Sequence, residues 1–145
     1  MKKKRFILMV VALLCMLMFF GCRNSQDAEQ VDVEIGDDYF IATVNSILDN
    51  FDDFYGQTVR IEGVLFAHGT DPVFRMVARE NTACCGLVGL LVEGLAESEY
   101  PEGDSWVEAI GTLGRFELGE TSFMGIHLSS INVVDEEPGQ RFVSH

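Results

Sequence analysis

The sequence predicts a mostly β domain, a small OB-like five-stranded barrel with one amphipathic helix ahead of it. Three observations carry this. Residues 57–134 break into runs of alternating apolar and polar residues, the period of half-buried strands. Glycines stand inside the long runs, at Gly63 and Gly111, as they do where a strand bends or bulges while a sheet closes on itself. Turn residues, Gly69-Thr70-Asp71-Pro72 and Gly119-Glu120-Thr121-Ser122, separate the runs.

The chain has 145 residues, room for one domain and a targeting segment. Met1 to Arg5 is basic, and Phe6 to Phe20 is an unbroken apolar run of 15 residues, short for a membrane-spanning helix and right for a secretory signal. With Gly21-Cys22 following, this stretch resembles bacterial lipoprotein precursors, in which the cysteine is lipidated and becomes the new N-terminus. That resemblance implies a signal peptide over residues 1–21 and a lipid anchor on Cys22, with a tether and short lead-in strand over 22–37. It places the OB-like domain, residues 38–143, on the extracytoplasmic face of the cell membrane. An uncleaved, tilted anchor is the alternative, with the same sidedness.

Arg23 to Gln30 is polar, a tether of at most roughly 28 Å. Val31 to Ile35 alternates as a short strand. Gly36-Asp37-Asp38 supplies helix-start chemistry, since an Asp side chain accepts from the free amides of a first turn. Phe40, Val44, Ile47, Leu48 and Phe51 then share one helical face, which predicts a helix over about residues 38–50. Strands follow over 57–68, 73–79, 88–93, 106–116 and 123–134. An acidic loop, Ala96 to Ser105, has room for one helical turn.

Charge narrows the partners. Four of the ten basic residues precede Cys22, so the mature chain sets six against 23 acidic residues, a formal charge of −17. Such a surface repels nucleic acid. It is expected to meet a cation, a cationic ligand or another protein. Most of the carboxylates serve only to solvate the surface. The sequence has no nucleophile elbow, phosphate loop or HExxH motif, and no enzyme is expected.

Once Cys15 leaves with the signal and Cys22 is acylated, the thiols are Cys84 and Cys85. Three readings stand side by side. Buried cysteine behaves as a small hydrophobe. Adjacent cysteines in an oxidising compartment can form a strained, easily reduced vicinal disulfide. Two thiolates joined by imidazole suit zinc or copper(I), provided that Cys84-Cys85-Gly86 is a turn, because neighbouring strand residues point to opposite faces. His68 and His127 are the candidate imidazoles, on strands expected to lie near one another in an OB-like barrel. Arg75 and Arg79 share a strand face near the cysteines, where they could tune a thiol or hold an anion; pairing with carboxylates is the simpler expectation. Asp49 to Asp53 lacks the spacing of a calcium loop.

Gly56 to Gly63, then Cys84-Cys85-Gly86, then Trp106 to Leu113 together resemble an OB-like bacterial domain of unknown function. It is found at the C-terminus of permease-associated membrane proteins and alone in small lipoproteins. Leu128 to Val133 and Gln140 to Val143 are similar to the lipoprotein branch. Here Leu87-Val88 replaces the polar residues that commonly follow the cysteines in that family. The resemblance implies fold and location, and a membrane permease or other envelope protein as partner, with no established reaction.

Overall fold

The structure is a computed structural model that describes residues 30–81, 86–118, 120–134 and 142–143. The predicted signal peptide, Cys22, the tether up to residue 29, Cys84 and Cys85 lie outside the described residues. Among the described residues, no helix is long and apolar enough to cross a membrane.

In chain order the elements are β1 (Val33–Ile35), α1 (Phe40–Asp49), α2 (Phe51–Phe54), β2 (Thr58–His68), β3 (Phe74–Asn81), β4 (Gly86–Glu93), a 3-10 turn (Glu97–Glu99), β5 (Trp106–Leu118), β6 (Thr121–Val133) and β7 (Phe142–Val143). β2 pairs antiparallel with β3 and with β5; β3 pairs antiparallel with β4, and β5 with β6. β4 closes the ring by running parallel to β6. The cycle β2–β3–β4–β6–β5 is the predicted closed five-stranded barrel. β1 lies parallel to β2 at one side, and β7, which no sequence pattern announced, lies parallel to β3.

The alternation read from the sequence sets the inside of the barrel. Val59, Ile61 and Leu65 of β2 meet Val77, Leu90, Val92, Val107, Ala109, Leu113, Ile126 and Leu128 in one core. α1 adds Phe40, Ile41, Val44 and Ile47 to the same cluster, and α2 adds Phe51. Each fully buried aliphatic or phenyl side chain contributes about 1.5–3 kcal/mol relative to exposure. α1 is the predicted helix and ends at Asp49 as expected, with the short α2 following past Asn50; the buried stripe of α1 is shifted, with Ile41 inside and Leu48 exposed. Ala67, on the same phase of β2 as Leu65, is exposed, where β2 runs out at the barrel's end.

The helix start also departs from expectation. Tyr39 takes the N-cap position in the left-handed region (φ 60°), with no side-chain cap. Asp37, expected to cap, sends its carboxylate instead to Arg79. Asp32 clasps β1 to β2 from both sides: its amide donates to the Thr58 carbonyl at 2.8 Å, and its carboxylate accepts from the Thr58 amide at 2.8 Å. Arg60 reinforces this pairing through Glu34 at 2.6 Å.

Tyr100 follows the 3-10 turn of the acidic loop, with the Arg75 guanidinium 4.2 Å from its ring centre. Burial raises its pKa, against the opposing pull of the Leu95 amide and of Arg75. The folded protein therefore holds this proton when the unfolded chain has begun to lose it. Tyr100 should make stability fall as pH rises from about 10 up to the raised folded value. A spectrophotometric difference titration against Tyr100→Phe is expected to show one phenol ionising above pH 10; a difference midpoint at or below 10 contradicts the burial.

Candidate functional site

β3 ends at Asn81, which stands opposite Gly86 at the start of β4. Residues 82–85, with Cys84 and Cys85, connect these two strands and lie outside the described residues. The histidines are placed elsewhere. His68 is opposite Phe74, seven residues along β3 from Asn81, and His127 is beside Glu93, seven residues along β4 from Gly86. Seven strand residues span about 23 Å. His68 and His127 thus each stand a strand's length from the ends of β3 and β4 that flank residues 82–85.

Nor are the first and last barrel strands neighbours. β2 sits between β3 and β5, while β6 sits between β5 and β4. His127 Nδ1 lies 2.9 Å from Glu93 Oε1, and its ring meets Phe116 edge-on. Among the described residues, no three His, Cys, Asp or Glu side chains are grouped as a metal ion would need.

Both arginines of β3 take up carboxylates, as composition suggested. Arg75 pairs with Glu97, and Arg79 NH1 lies 2.6 Å from Asp37 Oδ1. What sequence did not foresee is that Arg79 is wholly buried. Its guanidinium lies 4.5 Å from the Phe40 ring centre and 5.0 Å from that of Trp106, and its Nε donates to the Glu62 carbonyl at 3.0 Å. Trp106 Nε1 donates in turn to the Glu62 carboxylate at 2.6 Å. The cause is local. The β2–β3 pairing runs only as far as Val64 opposite Ala78, and Gly63 lets β2 pass so close that a Cβ there would lie 2.9 Å from the Ala78 carbonyl oxygen. Past that point the two strands part, and the arginine fills the gap. It ties the root of the Cys-Cys hairpin to the lead-in segment before α1.

A second arrangement lies on the outside of the barrel. Strand alternation turns Phe66, Phe74, Met76, Leu91, Phe116 and Phe123 outward; all six are half-buried, and none belongs to the core cluster. Phe74 meets Phe123 edge-on at 5.6 Å between ring centres, and Phe123 stacks with Phe116 at 6.2 Å. Phe66, Met76, Leu91, Gly125 and Gly114 stand opposite one another in turn around the barrel. The Phe116 ring covers Gly125, where a Cβ would come within 2.7 Å of it, and the His127 ring covers Gly114 in the same way at 2.5 Å. The sequence signal for this face was present in Phe66, Phe116 and Phe123, large apolar residues on the polar phase of β2, β5 and β6; in β3 the phases are reversed, with Phe74 and Met76 outward and Val77 in the core.

A closed barrel of this strand order, with a helix feeding its core, defines an OB-like β-barrel domain. The chain belongs to the family of the DUF1980 C-terminal domain, whose model matches residues 22–143. No curated protein and no solved structure matches it.

Proposed function

We propose that the chain is a membrane-tethered, non-catalytic binding module of the extracytoplasmic face, which takes a soft metal ion at Cys84 and Cys85 in support of a transport system. The supporting observation is the register of the hairpin. Two adjacent thiolates can meet one ion only in a connection between strands, and the Asn81–Gly86 pair ends both strands on either side of them. With His68 and His127 a strand length from the ends of β3 and β4, the two thiolates are the donors of this reading. That set favours copper(I) over zinc, since soft thiolates select copper(I) and zinc asks for four ligands.

Native mass spectrometry of the reduced, acylated protein tests this. A single copper(I) is expected per chain, lost in Cys84→Ser/Cys85→Ser and retained in His68→Ala and in His127→Ala. No bound metal, or binding unchanged in the double serine variant, overturns the proposal. Loss of the ion in either histidine variant overturns the two-thiolate form of it.

A further inference from the structure

We propose that the outer face formed by Phe66, Phe74, Met76, Leu91, Phe116 and Phe123 is a docking surface for a basic, amphipathic segment of a protein partner. The face is apolar and continuous across neighbouring strands, and it contributes nothing to the core. Contiguous exposed apolar patches on soluble domains mark interaction sites. Glycines form part of the floor at Gly89, Gly114 and Gly125; a Cβ at Gly89 would lie 2.1 Å from the Val77 carbonyl oxygen. The Phe116 and His127 rings lie over Gly125 and Gly114, and β3 fills the space that a side chain at Gly89 would need, so the floor is closed and flush with the rings around it.

Charge selects the occupant. Asp71 lies in the β2–β3 connection three residues before Phe74, Glu117 and Glu120 flank the β5–β6 turn, and Glu93 holds His127 beside Phe116. The arginines of the described residues are committed elsewhere: Arg60 to Glu34, Arg75 to Glu97, Arg79 to Asp37 and Arg115 to Asp52. The rim thus offers carboxylates to an incoming Lys or Arg. A second copy of this chain, an anionic lipid surface or a nucleic acid would each bring like charge to it. OB barrels hold oligosaccharides on their outer faces too, but Met76 and Leu91 put aliphatic groups at the centre of this one, where a sugar would need flat rings.

Fluorescence anisotropy with the full-length protein in zwitterionic nanodiscs tests the assignment. The probes are a short labelled peptide of alternating leucine and lysine and its leucine–glutamate counterpart. The lysine peptide is expected to bind saturably, and the glutamate peptide at least roughly tenfold more weakly. Phe74→Ser/Phe123→Ser should weaken the lysine peptide by a similar factor. Asp71→Lys/Glu120→Lys leaves the apolar residues and the fold in place, and should weaken the lysine peptide while strengthening the glutamate one. No binding of either peptide, equal binding of both, or indifference to the charge-reversal variant overturns the proposal. So does self-association that is lost in the phenylalanine variant, or displacement of the lysine peptide by chitohexaose.

Discussion

Replacing Arg79 with alanine is expected to cost about 3–5 kcal/mol of folding stability, the range for emptying a large buried site. The side chain is 0% exposed, and it fills the wedge where β2 and β3 part. Truncation leaves the Glu62 carbonyl without the Nε donor and removes the cation from between the Phe40 and Trp106 rings. Asp37 suffers less, since its side chain is 54% exposed and water can replace its partner. The ion pair itself is therefore the smaller part of the loss, and Arg79→Met, which keeps most of the volume, should retain more stability than Arg79→Ala. Arg79→Lys should not rescue, because an ammonium has neither the fork nor the flat face of a guanidinium. Urea denaturation followed by Trp106, the single tryptophan, gives the ranking directly. A loss below about 1 kcal/mol for alanine, typical of a surface position, would mean that Arg79 is not the wedge.

Gly111→Ala is expected to damage the barrel comparably, by about 3 kcal/mol, the upper end for overpacking. A Cβ at Gly111 would lie 2.2 Å from the His127 carbonyl oxygen and 2.7 Å from Ile126 Cγ2. The nearer obstacle is backbone, so no rotamer change relieves it, and β6 would have to move away from β5 at their register shift. Gly103→Ala is the control. A Cβ there meets nothing within 4 Å, and its effect should stay within about 0.5 kcal/mol. Thermal unfolding by far-UV circular dichroism separates the two; equal melting temperatures would contradict the tight β5–β6 approach.

The barrel was legible because its strands obey one rule. Val59, Ile61, Val107, Ala109 and Leu113 fall on the inward phase of their strands, and burial follows that phase closely enough to give the number of barrel strands. Arg79 was not legible, because a charged residue on an alternating strand is ordinarily solvated. Only the tertiary parting of β2 from β3 makes a closed space for it. Asp37 misled for the same reason: capping is a local competition, and a buried guanidinium outbids a first-turn amide. The histidine pair failed at topology. His127 is exposed on β6 between the buried Ile126 and Leu128, as alternation requires, but no pattern within a strand says which strands are neighbours. The outer apolar face was visible in principle, as Phe66, Phe116 and Phe123 on the polar phase of their strands, whereas β3 misled: its apolar side, Phe74 and Met76, faces out, and Val77 and Arg79 of the arginine side are buried.

The ring has one further consequence, which concerns the order in which the chain is delivered. β6 is the strand that pairs with both β5 and β4, and it is completed only at Val133, close to the C-terminus. Until then β4 and β5 each keep an open edge, and no shorter length of chain has a closed barrel to form. Loop-closure entropy must be met before such distant pairings are rewarded, which sets barrel folding on the order of milliseconds to seconds. A chain passed through a translocation pore from its N-terminus would thus stay threadable until β6 has emerged, and fold abruptly then. A chain cut short before Thr121 would present two unpaired strands to its neighbours, a direct route to aggregation.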